Sequence, residues 1–349
     1  MWLYSSILFA LIYLSLCKYD AKVSVISNKI IFLEIVLLLF FLSAFRYGIE
    51  TDYWSYFELF KNNGVGVETG FKILIYFVKT IFSNDFNVFI FVVATISVSI
   101  KFVCFSEVRN PFFAMLLYFC YFYIMLEWNV IRQGISVSFL FGAMDYAIKK
   151  RPIKFLFFVF CAVIFHISSI IFLPVYFIVN QQYSLRKICI LLFMFIIFKI
   201  LFMDFVFNIM INSFSKMFPA NLGVYAQRVV TYLKYETSSV IFSIGFFRRI
   251  VFLFIFICLN GSTKIKNPYF NVFFAGLFIY IFFMSNPIIA NRLSISFEFM
   301  LVPMISDLKI KFTWRNFYYM FFLILISFSI FMMTLLNGNA LPYKTYIFN

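Results

Sequence analysis

The chain has 349 residues, 64% of them hydrophobic and 12% charged, with 57 Phe, 22 Tyr and a formal net charge of +15. A soluble domain carries about 25% charged residues and a surface polar enough to stay dispersed, so a soluble fold is excluded and the bilayer is the solvent for the apolar excess. The Lys and Arg stand in short runs between apolar segments, as in the cytoplasmic loops of membrane proteins, and this excludes nucleic acid as a partner.

A spanning helix needs about 20 mostly apolar residues. In chain order the candidates are 2–17, 30–45, 88–105, 112–126, 130–148, 188–207, 246–259, 269–285, 293–306 and 317–336. The first has no basic n-region and no A-x-A site, so it reads as a span rather than a cleaved signal. The expected fold class is all-α, a polytopic integral membrane protein of roughly 10–12 membrane helices including half-helices and re-entrant segments. One membrane domain is expected over 1–349, without internal repeats. Cys17, Cys104, Cys120, Cys161, Cys189 and Cys258 all lie in apolar stretches without a CxxC, and read as small buried hydrophobes rather than disulfides. The Phe content reflects a coding bias as readily as a binding surface, since Phe partitions into lipid about as well as Leu.

Sidedness follows from the basic runs. Lys18, Lys22 and Lys29; Lys149, Lys150, Arg151 and Lys154; Arg186 and Lys187; Lys264 and Lys266; and Lys309, Lys311 and Arg315 belong inside. Two stretches are constrained by counting crossings between these loops. A full span at 71–82 would place the KKRPIK run outside, so this stretch reads as an interfacial or re-entrant helix. The stretch 155–178 joins two inside loops and must cross an even number of times. It therefore reads as two half-helices broken near Phe165-His166 or at Pro174, lining a cavity. Both termini then fall outside, with the segments 46–87, about 126–133, 208–245 and about 285–292; the segment 208–245 is the largest outer loop.

The outer segments carry Arg46, Glu50, Asp52, Glu58, Glu68, Arg132, Arg228, Arg248, Arg249 and Arg292. Arginines beside an apolar body suit phosphates on a lipid tail, because guanidinium forks phosphate oxygens and desolvates more readily than ammonium. The plainer reading of each is interfacial snorkelling. It is weaker for Arg132 and Arg292, which stand at helix mouths beside Gln133 and Asn291. His166, the only histidine, is either a packed core group or a catalyst. Asp52 is a solvated loop carboxylate or a base. Glu68 is a carboxylate at the start of the 71–82 helix or a base. Tyr53 and Tyr56 are interfacial belt residues or a sugar-stacking platform. No His, Cys and carboxylate cluster suggests zinc.

Four stretches in order carry a resemblance: FRYGIETDYWSYFELF, with Arg46, Gly48, Asp52, Tyr53 and Tyr56; ETGFKIL, with Glu68, Gly70 and Phe71; NVIRQGISVSFLFGAMDYAIKKRPIKF, with Arg132 and Gln133; and AVIFHISSIIFLP, with His166, Ser168 and Ser169. Together they resemble the EpsG group of Wzy-type O-antigen and exopolysaccharide polymerases over about residues 45–175. Thr69 departs from the Pro the group tends to carry, and Arg292 in NRLSISFEF also fits. The resemblance implies a polymerase of the bacterial inner membrane. Such an enzyme moves a growing glycan from undecaprenyl pyrophosphate onto a carrier-linked repeat unit at the periplasmic face, needs no cofactor or metal, and works beside a chain-length regulator. Arg132 and Arg292 would stabilise the leaving pyrophosphate, with Arg46, Tyr53 and Gln133 assisting substrate binding. The base would be Asp52, Glu68 or His166. Two other readings stay open. Glu50-Thr51-Asp52 fits the E-x-D of a metal-dependent GT-C glycosyltransferase that uses a polyprenyl-phosphate sugar. A lipid-linked oligosaccharide flippase is disfavoured by the missing repeat and the large one-sided loop.

Overall fold

The computed structural model describes residues 2–17, 25–82, 84–217, 243–310, 313–338 and 340–347. Lys18, Lys22, Lys311, Arg228 and most of the segment 208–245 lie outside the described residues. The chain forms two compact units, Met1–Leu173 with Ile305–Asn349, and Pro174–Met304.

The first unit contains α1 (Trp2–Cys17), α2 (Val25–Ala44), α3 (Tyr53–Lys61), α4 (Thr69–Ile81), α5 (Phe86–Ser106), α6 (Pro111–Tyr118), α7 (Ile131–Ile148) and α8 (Pro152–Phe165). A π-helix over Phe119–Asn129 continues α6, and a 3-10 segment over Ile167–Phe172 follows α8. α7 packs against α5 and α8, α4 lies on α8, and α1 lies on α6. Ile153, Phe157 and Phe160 on α8, spaced to share one face, are 60% or more exposed. Apolar rings turned outward in a stripe are what lipid rather than water would solvate. The helices Phe86–Ser106, Pro111–Asn129, Pro287–Ser306 and Trp314–Leu336 are each long and apolar enough to cross a membrane.

Hydrogen bonds group the ends of the first unit. Tyr4 at the start of α1 donates to the Ala340 carbonyl. Arg46 pairs in an antiparallel bridge with Thr345, and the Tyr47 amide donates to the Lys344 carbonyl. Both ends of the chain and the segment after α2 therefore sit at one end of the unit. At the other end the Asn110 side chain donates to the Ser15 carbonyl, and its amide donates to the Ser306 carbonyl.

The second unit contains α9 (Val175–Ile178), β1 (Tyr183–Ser184), α10 (Leu185–Met217), α11 (Ile244–Asn260), β2 (Lys264–Ile265), α12 (Pro268–Phe283) and α13 (Pro287–Glu298). α14 (Leu301–Ser306) and α15 (Trp314–Asn337) complete the chain. β1 and β2 pair antiparallel with Ser184 opposite Lys264, so the basic runs at 186–187 and 264–266 share one side, as expected. Three helices start on Asn-Pro: the Asn110, Asn267 and Asn286 side chains accept from Phe113, Phe270 and Ile289 amides. Asn satisfies an orphan donor while Pro has no N–H to lose, so the dipeptide sets each start locally.

One expected boundary needs correction: α10 runs to Met217, so the helix does not stop at 207. The stretch 155–178 breaks at His166 into two short apolar helices, Pro152–Phe165 and Ile167–Ile178, the second opening as a 3-10 segment and turning again at Pro174. His166 is extended (φ −154°, ψ 109°), and Pro174 has no amide hydrogen for the preceding turn.

Candidate active site

The close approach of α4 to α8 builds the site. Glu68 caps α4 in extended conformation, after a turn in which Gly64 and Gly66 take positive φ. At Gly70 a Cβ would lie 2.8 Å from the Ile164 carbonyl oxygen, so glycine lets the first turn of α4 rest on the last turn of α8. The contact brings together the residue that opens α4 and the residue that ends α8: Glu68 Oε1 lies 3.2 Å from His166 Nδ1. Arg132, in the first turn of α7, donates from Nη1 to Glu68 Oε2. The carboxylate thus bridges a guanidinium and an imidazole.

The surrounding shell fixes the break in the chain. Ser136, one turn beyond Arg132, donates to the Ala162 carbonyl at 2.9 Å and shares a hydrogen bond with Ser169. The Ser169 amide donates to the His166 carbonyl at 3.0 Å. α7 therefore holds the 3-10 segment, and with it the orientation of the imidazole.

Burial pushes the Glu68 pKa up, but the hydrogen bond from His166 and the Arg132 charge outweigh it and hold the carboxyl at about 2. So low a value makes Glu68 a poor base and a good orienter. A carboxylate accepts only, so Nδ1 carries the hydrogen toward it and Nε2 is the imidazole atom able to take a proton. The His166 and Arg132 side chains remain 16% and 19% exposed, within reach of a ligand. The buried phenol of Tyr56 interacts electrostatically with both Arg132 and Arg46.

The other expected residues fall in several places. Arg46 is buried and donates to three backbone carbonyls, Ser43 at 3.1 Å, Glu127 at 2.7 Å and Trp128 at 3.4 Å, and so ties the end of α2 to the end of the π-helix. Asp52 is half-buried at the start of α3, its carbonyl accepting from the Tyr56 amide. Tyr53 is buried edge-on to Phe86, and Gln133 is buried beside Arg132 on α7. Burial of Tyr53 and Tyr56 argues against an exposed belt. Glu50 is buried, with Oε1 close to Gly338. Arg292 belongs to the second unit, half-buried on α13.

Two charged centres are built on residues that the sequence reading did not name, Lys101 and Glu127 in one and Glu298, the partner of Arg248 and Arg249, in the other. In the first unit Lys101 and Glu127 form a fully buried ion pair at 2.8 Å, joined by Ser97, Ser138, Tyr118 and the Gly134 carbonyl. In the second unit Glu298 accepts from Arg248 at 2.5 Å and from Arg249, whose guanidinium lies 3.6 Å from the Tyr280 ring centroid. Lys101 and Glu298 stand inside apolar runs, a signal that was available, since a charge in a span is costly enough to need a partner.

Among the described residues no group of three or more His, Cys, Asp or Glu is placed to hold a metal ion. Neither the curated proteins nor the solved structures provide a match to the chain. Residues 29–345, nearly the whole chain, match the EpsG family, and the protein belongs to that family of polymerase-like membrane proteins of polysaccharide biosynthesis.

Proposed function

We propose that this protein is a Wzy-like repeat-unit polymerase of the bacterial inner membrane, acting at the periplasmic face in O-antigen or exopolysaccharide synthesis. Its substrate is an oligosaccharide carried on undecaprenyl pyrophosphate. The observation that carries the reading is the bridging of one ionised carboxylate, Glu68, between Arg132 and His166. The acceptor hydroxyl oxygen attacks the anomeric carbon of the donor glycan, and its proton passes to His166 Nε2. The bond from that carbon to the pyrophosphate oxygen breaks, and the electron pair leaves with undecaprenyl pyrophosphate. Arg132 meets the growing charge on the leaving group. Glu68 keeps the imidazole in the accepting tautomer, and Ser136 and Ser169 keep the break in register. Arg292 is carried into the reading by the family resemblance, as a second pyrophosphate contact, and a chain-length regulator is the implied partner.

The test is turnover of a defined undecaprenyl-pyrophosphate repeat unit by the protein in liposomes, with and without EDTA. A glycan ladder that survives EDTA and falls by about 10²–10³ in Arg132→Ala and His166→Ala is expected. A ladder unchanged in both variants would reject the site. Transfer only from a monophosphate sugar donor, lost in EDTA, would reject the polymerase in favour of a metal-dependent glycosyltransferase at Glu50 and Asp52.

A further inference from the structure

The end of the first unit that holds Glu68 also holds a cleft of about 300 Å³ that the reaction above does not use. Its walls are of two kinds. Tyr47, Tyr53 and Trp54 give aromatic surface, and Asn84, Asp85 and Asn87 give hydrogen-bonding groups. Tyr47 is 37% exposed and Trp54 50%, whereas Tyr53 is buried behind them. The rings are set edge-on, Tyr53 to Trp54 at 5.2 Å and 85° and Tyr47 to Trp54 at 6.0 Å and 83°. Gly48, at φ +60°, holds the chain so that the Trp54 ring lies over it; a Cβ there would be 3.5 Å from the ring. In the same lining Asp85 caps α5 by accepting from the Asn87 amide with Oδ1 at 2.8 Å, and its carboxylate has a second oxygen that can accept from a ligand hydroxyl.

Three classes of occupant can be compared by their chemistry. An acyl chain would find three polar groups that it cannot pair. A phosphate would meet Asp85 and no Lys or Arg in the wall. A sugar ring has an apolar C–H face that lies on an aromatic surface, and a rim of hydroxyls that need carboxylate and carboxamide partners. It alone uses both walls. A belt of interfacial aromatics, by contrast, needs neither a concavity nor a carboxylate.

We infer that the Tyr47–Trp54–Asp85 cleft is a saccharide subsite that takes a sugar ring of the lipid-linked glycan. The inference rests on the polymerase reading for the identity of that glycan. Tyr53 walls the cleft, and Tyr56, one turn later on α3, lies against Arg132; both share a buried core with Phe86 and Ile131. Residues three apart on a helix are neighbours, about 5–6 Å between Cβ atoms. A glycan seated in the cleft is therefore held about one helical turn from the proposed pyrophosphate contact. The platform is formed by the neighbours of Tyr53 rather than by Tyr53 and Tyr56 themselves.

The test is binding of a tagged repeat-unit oligosaccharide, freed from its lipid by mild acid, to the full chain in nanodiscs. Turnover of the lipid-linked form is measured in parallel. Wild type and Trp314→Ala, which removes an exposed ring elsewhere, are expected to bind alike. Trp54→Ala is expected to weaken binding about tenfold, the worth of one ring contact, and to raise KM by the same factor with kcat retained. Asp85→Asn keeps the helix cap and is expected to weaken binding severalfold, which keeps the test open if Trp54→Ala does not fold. Absence of binding to wild type, or equal binding by Trp54→Ala and Asp85→Asn, overturns the subsite. Trp54-dependent binding without polymer from wild type would keep the subsite and reject the polymerase reading instead.

Discussion

Two inner carboxylate–cation centres of the first unit, Lys101–Glu127 and Glu68–Arg132–His166, differ in completeness. At Lys101 and Glu127 burial is total. The ammonium shares its three hydrogens among Ser97 Oγ at 2.7 Å, Glu127 Oε1 at 2.8 Å, Gly134 O at 2.9 Å and Ser138 Oγ at 2.7 Å, and Glu127 Oε1 also accepts from Tyr118 at 2.6 Å. At Glu68, Arg132 and His166 the groups are tied to one another but partly open. The first centre is closed to solvent and its polar groups are satisfied within the fold. The second keeps an imidazole nitrogen and part of a guanidinium within reach of a ligand. The two are linked through α7, because the Gly134 carbonyl that accepts from Lys101 lies two residues from Arg132. Gly134 also has Leu126 O against it where a Cβ would stand, so the π-helix end lies directly on the start of α7. The saturated pair thus sets the corner from which the open centre is presented.

The largest expected effect would break this comparison if it failed. Lys101→Met leaves Glu127 buried without its cation and is expected to cost about 3–5 kcal/mol in unfolding of the solubilised protein. The double variant Lys101→Met/Glu127→Gln is expected to recover most of that loss. Arg132→Ala, at the partly open centre, is expected to cost less than Lys101→Met while abolishing most turnover. Equal destabilisation by Lys101→Met and Arg132→Ala would erase the distinction between scaffold and site.

A smaller effect probes how the open centre is assembled. Gly70→Ala forces a methyl against the Ile164 carbonyl, and α4 must move off α8. The expected cost is about 1–3 kcal/mol, with turnover falling as Glu68 leaves His166. Unchanged turnover would show that the Glu68–His166 contact is not needed.

Smaller again is the acid response of Glu68. Its folded-state pKa of about 2 lies below the unfolded value, so its contribution to stability is full above that unfolded value. The contribution is lost as pH falls through about 2. Wild type is therefore expected to lose stability on acidification from about pH 4.5 toward 2 by more than Glu68→Gln does. Parallel curves for the two proteins would mean that the carboxylate is not held by its partners.

Much of the fold was legible because it is set locally. The apolar runs of α1, α5 and α15 and the break at His166 depend on a few neighbouring residues each. The site was legible in part, since Arg132, Glu68 and His166 stand in recognisable stretches. Their convergence depends on Gly70, whose meaning appears only when α8 is beside it. What was missed depends on partners distant in sequence. Arg46 resembles a phosphate ligand until three carbonyls are found around it. Tyr53 and Tyr56 resemble surface rings until α3 turns them inward and leaves Trp54 outside. The extension of α10 to Met217 was hidden because Asn208 and Asn212 read as loop polarity although they stand at helical spacing.

The smallest effect concerns Glu50, where two readings of the chain part. Glu50 takes φ +70°, is buried, and has one carboxylate oxygen without a hydrogen-bond partner. Burial raises its pKa, against the Thr51 amide and the Arg46 charge. A carboxyl whose folded-state pKa is raised stabilises the fold below its unfolded value and loses that contribution as pH rises through the folded one. Wild type is therefore expected to gain stability on going from neutral pH to pH 5, whereas Glu50→Gln starts slightly more stable at neutral pH and gains less. If Glu50 and Asp52 instead held a divalent cation, added Mg²⁺ or Mn²⁺ would stabilise wild type at neutral pH, and Glu50→Gln would abolish that gain. A metal-dependent rise in wild type would turn the segment 46–60 from an anchor into a site, and the comparison of the two centres would need a third.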